Sequence, residues 1–295
     1  MASLKDLRNR ISSVKSTKKI TSAMKMVAAA KLKKAQENAV FARPYSERMK
    51  KIIDSIKSNA VINTSGPSLI FGTGSDKKVL LIVCSADRGL CGGFNGSIVR
   101  QAKKKANEII QSGGEVSFIF IGKKASLALK RDFNENTLRT FTEIANPSIN
   151  FEMVCEIRDS IINYFKEGLF DRCELIYTKF NSAISQEVKN LQIIPLSFEE
   201  IKDANNSKNN EIVHEFEPSE EEILKKIIPQ NIAVQIFTGL LESSASEHGA
   251  RMTAMDNATR NANDKIDDLT MFYNRSRQAV ITKELIEIIS GAEAI

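Results

Sequence analysis

The C-terminal part of the chain carries a long helical pattern of apolar and small residues. Between residues 234 and 280 they recur at steps of mostly three and four, and no proline interrupts them. The seam positions are Val234, Phe237, Leu241, Ala245, His248, Met252, Met255, Thr259, Ala262, Ile266, Leu269, Tyr273, Ser276 and Val280. A seam of about six heptads is typical of a helix that packs along another helix. At 1.5 Å per residue, residues 230–289 would form a rod of roughly 90 Å, so we expect much of it to project from its own domain.

A second long helix is predicted for residues 3–57. The heptad phase is set by Leu4, Leu7, Ile11 and Val14, and after a slip it resumes at Ile20, Met24 and Val27. Pro44 is expected to kink or loosen this helix. If the two seams pair, connectivity makes them antiparallel. The expected arrangement is a globular head with a two-helix stalk and both chain termini at the far tip.

In the middle of the chain the hydrophobic pattern changes, and it predicts a Rossmann-like α/β domain. Short apolar runs at residues 78–84, 116–121, 174–180 and 186–194 predict strands, and 94–110, 123–130 and 151–166 predict helices. Alternating strands and helices indicate a parallel or mixed sheet covered by helices.

The predicted segments divide the chain into four. They are a coiled-coil helix over 1–58, the α/β domain over 76–200, a polar and acidic linker over 201–218, and a second coiled-coil helix over 219–295. Ser219 is the expected helix cap, followed by glutamates in the first turn. Pro229 is expected to mark a kink or junction before the rod.

Charge is distributed unevenly along the chain. The whole sequence has a net charge of +6. Residues 1–58 hold fifteen Lys/Arg against four Asp/Glu, whereas 199–222 hold nine acids and two lysines. A basic end indicates an electrostatic partner, with nucleic acid, anionic lipid or an acidic protein surface all open. No apolar run reaches the roughly 20 residues of a membrane span, and the start lacks the apolar core of a signal peptide, so we expect a soluble cytoplasmic protein.

The sequence offers little catalytic chemistry. The cysteines form no Cys-x-x-Cys pair, and Asp264, Asp267 and Asp268 surround Lys265, as on a solvated face. The glycine-rich loop SADRGLCGGFN, residues 85–95, follows a strand, where α/β folds place ligands. It lacks the spacing of a dinucleotide or P-loop motif, so a tight turn or protein contact is favoured over nucleotide binding. We expect no catalytic residue, no metal and no cofactor.

The tip of the predicted stalk points to a partner. Residues 279–289, AVITKELIEII, are apolar on most of the helix circumference. A helix that is apolar nearly all round must be buried, and at the end of a projecting stalk another protein has to supply the burial. Arg275, Arg277 and Gln278 just before it offer polar contacts.

Three blocks of the sequence resemble one family closely. The opening block covers residues 4–35, and the loop DRGLCGGFN covers 87–95. The closing block comprises ASEHGARMTAMDNATRNA (245–262), YNRSRQAVITKEL (273–285) and the later Gly-Ala. In this order they resemble the γ subunit of F-type ATP synthase.

The resemblance implies a non-catalytic central rotor stalk. Its coiled coil would enter a hexameric ring of α and β subunits, and its globular domain would contact the ε subunit and the membrane c-ring. One copy per complex would couple proton flow to the β catalytic sites. The implied location is the cytoplasmic face of a bacterial inner membrane, peripheral and reached only through the complex, with no nucleic-acid partner.

The resemblance also implies site residues. Those facing the α/β ring would be Lys18, Lys19, Met24, Lys25, Arg277, Gln278, Thr282 and Ile288. The loop of the globular domain would be Arg88, Gly89, Leu90, Cys91, Gly92 and Gly93. No thiol switch is expected, since a cysteine-bearing insertion is missing. The alternatives are a non-rotary coiled-coil adaptor and a nucleotide-dependent α/β enzyme.

Overall fold

The computed structural model describes residues 3–60, 69, 72–145, 148–196 and 220–293. The chain divides into two compact units, the first formed by Met1–Ala30 with Arg251–Ile295 and the second by Lys31–Ala250. The predicted linker at 201–218 and the Ser219 cap lie outside the described residues. The four predicted domain limits therefore stay predictions.

The second unit contains one mixed five-stranded sheet. Its strands are β1 (Lys78–Cys84), β2 (Glu115–Ile121), β3 (Thr137–Phe141), β4 (Arg172–Phe180) and β5 (Gln186–Ile194). The spatial order is β3-β2-β1-β4-β5, with β5 alone antiparallel to its neighbour. The helices are α1 (Leu4–Ala60), α2 (Phe94–Gln111), α3 (Lys123–Phe133), α4 (Phe151–Lys166) and α5 (Glu220–Glu293). The predicted Rossmann-like fold with long terminal helices is confirmed.

Each face of the sheet is covered by a different pair of helices. Successive side chains of β1 point to opposite faces, so Leu80 and Ile82 pack with α4 and α5, while Leu81 and Val83 pack with α2 and α3. Burial on both faces explains why β1 is continuously apolar in sequence. Each fully buried Leu or Ile contributes roughly 2 kcal/mol, so the sheet holds the core of this unit together.

The strand β3 was missed by the sequence analysis. It has the sequence TLRTF, none of its residues is buried, and it pairs only with β2 at the edge of the sheet. An edge strand that is open on one side needs no apolar run, which is why its sequence carries little signal.

The heptad seam of α1 runs without the predicted slip. In the first unit its least exposed positions include Leu7, Thr21 and Ala28, which are 2%, 9% and 2% exposed. The placement of Ile20 and Val27 in the seam was wrong, because these side chains are 60% and 57% exposed. The error came from following apolar residues, whereas the packed positions at this point are small or polar.

Neither proline ends its helix. Pro44 lies inside α1, and Pro229 lies inside α5. In the second unit, α5 is a core helix, since Ile228, Ile232 and Ile236 are at most 1% exposed. The beginning of the predicted rod therefore packs in the core of the second unit, and the predicted kinks at Pro44 and Pro229 stay predictions.

Candidate functional site

The apolar C-terminal segment is exposed to solvent. Its large side chains are between 41% and 68% exposed, and these are Val280, Ile281, Leu285, Ile286, Ile288 and Ile289. Arg277, Gln278 and Thr282 beside them are exposed too. A contiguous apolar surface of this kind marks an interaction site in a soluble protein. Covering each of these side chains would stabilise a complex by up to about 1.5–3 kcal/mol.

The predicted basic residues of α1 have different environments. Lys19 is exposed, whereas Lys18 and Met24 are half-buried. Lys18 lies at a seam position, four residues after Val14 and three before Thr21. Of these three residues, Lys19 is the one whose charged side chain is exposed enough to form an ion pair with another protein.

Lys25 is paired within the first unit. Its Nζ donates to Oδ1 of Asp256 at 2.6 Å, and Arg260 contacts the other carboxylate oxygen at 2.7 Å. The hydrogen bond from Lys25, with Arg260 close by, holds the pKa of Asp256 below its ordinary value. Lys25 was expected to face a partner, and its contacts with Asp256 and Arg260 were not predicted. The signal in the sequence was a lysine at a seam position of α1.

Two further polar contacts join α1 and α5 in the first unit. Arg8 donates a 2.9 Å hydrogen bond to the Tyr273 hydroxyl, which lowers the pKa of Tyr273. Thr259 donates to the Thr21 hydroxyl at 2.8 Å. Residue numbers rise on one helix as they fall on the other, so the contacts define an antiparallel register. Polar partners at seam positions disfavour slipped alignments.

The glycine-rich loop at residues 85–93 is fixed by its own side chains. Cys91 is 2% exposed and packs in the core beside α2. The Asn95 amide oxygen accepts from the Ala86 N–H at 3.0 Å, and its NH₂ donates to the Cys91 sulfur at 3.1 Å. Arg88 is exposed and Leu90 is 64% exposed, at a positive φ of 65°.

The remaining loop positions are glycines with different surroundings. Gly89 is half-buried beside Lys124, while Gly92 and Gly93 are exposed. Gly92 has a φ of 57°, a left-handed conformation that favours glycine. The six predicted loop residues thus form one turn between β1 and α2, with Cys91 pointing inward.

The loop also occupies the start of α3. The backbone N–H groups of Lys123, Lys124 and Ala125 donate to Asp87 Oδ1, the Ala86 carbonyl and Ser85 Oγ at 3.0–3.1 Å. A phosphate bound at a helix N-terminus needs such donors free. Asp87 already supplies the negative charge there, so this helix start is not a nucleotide-phosphate site.

The carboxyl edge of the sheet, where α/β folds bind ligands, is filled by α5. The cavity between Cys84, Gly122 and α5 residues Leu240 and Ser243 has a volume of about 40 Å³. That volume holds a water molecule or so, far less than the 300 Å³ or more of a typical ligand pocket. The geometry therefore favours a protein-binding role over a nucleotide-dependent enzyme.

Groups with potential chemistry are few in the described part of the chain. No cluster of His, Cys, Asp or Glu there could hold a metal ion. Burial raises the pKa of the Cys84 and Cys173 thiols, which keeps them protonated and inert. Among the described residues, no helix is long and apolar enough to cross a membrane.

Comparison with known proteins gives one consistent family. The family model described as ATP synthase matches residues 3–295. The ATP synthase gamma chain of Paramagnetospirillum magneticum is 51% identical over 295 residues, with 100% of both chains covered. That of Rhodospirillum rubrum is 50% identical over 299 residues, again with 100% of both chains covered.

Solved structures agree. The central stalk and c-ring structure of Tetrahymena thermophila mitochondrial ATP synthase matches with 26% identity and a TM-score of 0.61, covering 81% of this chain and 99% of that one. A Euglena gracilis mitochondrial ATP synthase chain has the same fold, with a TM-score of 0.68 at 20% identity and coverage of 99% and 94%. The chain belongs to the ATP synthase gamma chain family.

Proposed function

We propose that this chain is the central rotor stalk of an F-type ATP synthase. It couples proton-driven rotation of the c-ring to the conformational cycle of the β catalytic sites and catalyses no reaction itself. Its partners are the hexameric α/β ring, the ε subunit and the c-ring, at one copy per complex. The complex places it peripherally at the cytoplasmic face of a bacterial inner membrane.

One observation carries this proposal: the apolar segment at residues 279–289 is uncovered in the chain itself. A surface with few directional bonds can turn inside an apolar sleeve, because sliding breaks no specific hydrogen bond. We propose that Thr282 and Ile288 contact this sleeve, and that Arg277 and Gln278 contact its mouth.

The basic side of α1 supports a second contact. We propose that Lys18, Lys19, Met24 and Lys25 face the acidic levers of β, with Lys19 the most accessible. The paired Lys25 also holds the helix pair together through Asp256. In any contact with β, the ion pair between Lys25 and Asp256 would either break or bind the β surface intact.

Rotation can be tested by reversible cross-linking. In the complex, this chain carries Lys19→Cys, and the facing surface of β carries one introduced cysteine. Cys155→Ser in this chain removes a half-buried thiol that could also react. We expect oxidation to stop ATP hydrolysis and reduction to restore it, with one copy of the chain per three α and three β subunits. Unchanged hydrolysis in the fully cross-linked complex would favour the non-rotary adaptor.

The electrostatic contact can be tested separately. Lys19→Glu is expected to weaken coupling between ATP hydrolysis and proton pumping at low salt, with recovery as salt screens the repulsion. Lys130→Glu on α3 is the matched control, because that lysine is also exposed on a helix. Equal effects of the two variants would contradict a specific role for Lys19.

A further inference from the structure

The helices on one face of the sheet carry a concentrated positive charge. Together, α2 and α3 contain eight Lys/Arg and two Asp/Glu, whereas α4 on the other face contains two Lys/Arg and three Asp/Glu. None of the eight cations is among the buried residues, so packing of the core does not require them. A charge confined to one side of a domain indicates an anionic partner.

The two helices form one continuous surface. Both pack on the same face of the sheet, through Ile98 and Ala102 of α2 and Leu129 of α3. Lys103 Nζ donates to Asp132 Oδ2 at 2.6 Å, which joins the helices on their outer side. Since packed helices are about 10 Å wide each, their exposed sides make a surface roughly 20 Å across. We name this surface, with Arg100, Lys103, Lys124, Leu127, Lys130 and Arg131, the α2–α3 basic face.

Ion pairs within the domain involve half of these cations. The pairs are Lys103–Asp132, Lys104–Glu108, Lys105–Glu174 and Lys123–Glu143. The other four cations are exposed to solvent, and they are Arg100, Lys124, Lys130 and Arg131. The face therefore keeps an excess of positive charge after its ion pairs have formed.

Leu127 lies at the centre of this charge. Its side chain is 66% exposed, and four cations lie three or four residues before and after it, namely Lys123, Lys124, Lys130 and Arg131. Residues at these spacings are neighbours on a helix surface. An exposed apolar residue among four cations is the arrangement by which an amphipathic helix contacts lipid, with the apolar side chain in the acyl region and the cations among the headgroups.

The shape of the face favours a lipid surface over nucleic acid. The aromatic residues of the two helices, Phe94 and Phe133, are only 6% and 8% exposed and cannot stack on bases. A face two helices wide is too broad for the major groove of B-DNA, which is about 12 Å wide and admits one helix. A bilayer requires neither a shaped pocket nor a fixed register, so lysine side chains around one leucine are sufficient.

We propose that the α2–α3 basic face binds the anionic headgroups of a phospholipid bilayer, with Leu127 inserted between the acyl chains. This contact collects the chain at the membrane before it joins other subunits. It requires only the isolated chain, so it does not rest on the proposed rotor function.

Vesicle flotation of the isolated full chain tests the electrostatic part of the contact. We expect binding to vesicles of phosphatidylglycerol mixed with phosphatidylcholine, no binding to phosphatidylcholine alone, and release as salt increases. Replacing two cations of the face, as Lys124→Glu with Lys130→Glu, should weaken binding at least tenfold. Both lysines are exposed, so the unfolding midpoint in urea should stay the same.

The matched control changes the same charge elsewhere on the chain. Lys33→Glu with Lys34→Glu replaces two exposed lysines of α1 and alters the net charge by the same amount. Because salt screens attraction beyond about 8 Å, this control should weaken binding by less than about threefold. Equal losses in the two double variants, or no binding to the anionic vesicles, overturn the proposal.

A tryptophan at position 127 tests the insertion. The chain contains no Trp, so Leu127→Trp introduces a single emitter. Its emission should move to shorter wavelength on the anionic vesicles and be quenched by lipids brominated in their acyl chains. Ile184→Trp is the control, because Ile184 is 86% exposed in the turn between β4 and β5. If the vesicles bind while the emission from position 127 stays unchanged, the insertion is refuted.

The same chain distinguishes the other outcomes. Tighter binding to an oligonucleotide than to the anionic vesicles at equal salt, lost in the variant of Lys124 and Lys130, assigns the face to nucleic acid and overturns the proposal. Absence of vesicle binding leaves the rotor function standing, because recovery of the complex with α and β subunits is measured separately. Vesicle binding by a chain that does not join α and β supports this inference alone.

Discussion

Gly122 shows how one absent side chain shapes the edge of the sheet. Its φ is 99°, and a Cβ there would overlap the carbonyl oxygen of Ser85. Ser85 in turn accepts from the Ala125 N–H with its hydroxyl. The close approach of the two loops, and hence the capping of α3, depends on this glycine.

We expect Gly122→Ala to destabilise the full chain by about 3 kcal/mol or more, from the clash and the strained φ together. Urea unfolding followed by circular dichroism measures this loss. Gly96→Ala is the matched control, because Gly96 lies inside α2 with no atom within 4 Å of an added Cβ. It should stabilise the chain by about 0.5–1 kcal/mol, and a loss of equal size in both variants would contradict the argument.

Glu242 is a half-buried carboxyl group on α5 in the second unit. Its Oε2 is buried without a hydrogen-bond partner. Burial raises the pKa of Glu242, and the charges of Lys179 and Arg43 oppose this only in part. The pKa of Tyr177 is raised to about 12, first by its own burial and then by the charge of Glu242.

Stability should depend on pH through this group. Because the folded pKa lies above the unfolded one, the contribution of Glu242 to stability is fully present below its ordinary pKa of 4.5 and is lost as pH rises through the folded pKa. Glu242→Gln should therefore raise the free energy of unfolding at pH 7 by about 1 kcal/mol, with no gain near pH 4. Glu156→Gln, on an exposed part of α4, should change neither value; a pH-independent gain at Glu242 would refute the mechanism.

At the scale of the element, small and polar residues decide how α1 packs. Thr21 and Ala28 lie in the seam, while the larger Ile20, Met26 and Val27 are exposed. Close helix packing needs small residues at the contact, so apolar size alone is a poor guide here. The exposed apolar residues are then available to a partner.

This arrangement predicts a sharp contrast between two alanines of the first unit. Ala28→Asp places a charge at a position that is 2% exposed and should cost roughly 2–3 kcal/mol in urea unfolding of the full chain. Ala30→Asp makes the same change at an exposed position and should cost only the helix propensity, about 0.7 kcal/mol. Similar losses would mean that the seam does not run through residue 28.

At the scale of the whole molecule, the apolar residues of one part of the chain are buried and those of another part are exposed. The sheet of the second unit buries its own apolar residues on both faces. The segment at 279–289 leaves its apolar side chains in water. A protein of this design reaches its lowest free energy only in a complex.

Removal of residues 283–295 separates these roles. Because the described large side chains of this segment are exposed, the isolated truncated chain should be less stable in urea than the full-length chain by less than about 0.5 kcal/mol. Recovery of the complex with α and β subunits, and its ATP hydrolysis, should fall severalfold. Unchanged recovery and coupling would exclude a sleeve around this segment. Replacing the exposed Lys283 and Glu284 by alanine within the full-length chain is the control, because it keeps the apolar residues.

The sequence by itself determined the elements with strong periodic or continuous apolar patterns. Residues 151–166 and 186–194 were predicted with the bounds that α4 and β5 have. Burial of one helix face, or of a strand in the core, produces a periodic or continuous apolar pattern that is visible in the local sequence. The apolar segment at 279–289 was also predicted from the sequence. A helix that is apolar on most of its circumference indicates burial, here against a partner protein.

Only the tertiary structure decided which polar residues meet. Lys25 and Asp256 are far apart in sequence. No local pattern distinguishes a lysine that pairs with the other helix of the same chain from one that contacts another protein. The missed strand β3 likewise exists because β2 offers it an edge. The strained Leu90 depends on Asp87, Cys91 and α3 together. Such features arise from contacts between distant segments, whose energies depend on geometry that the order of residues does not contain.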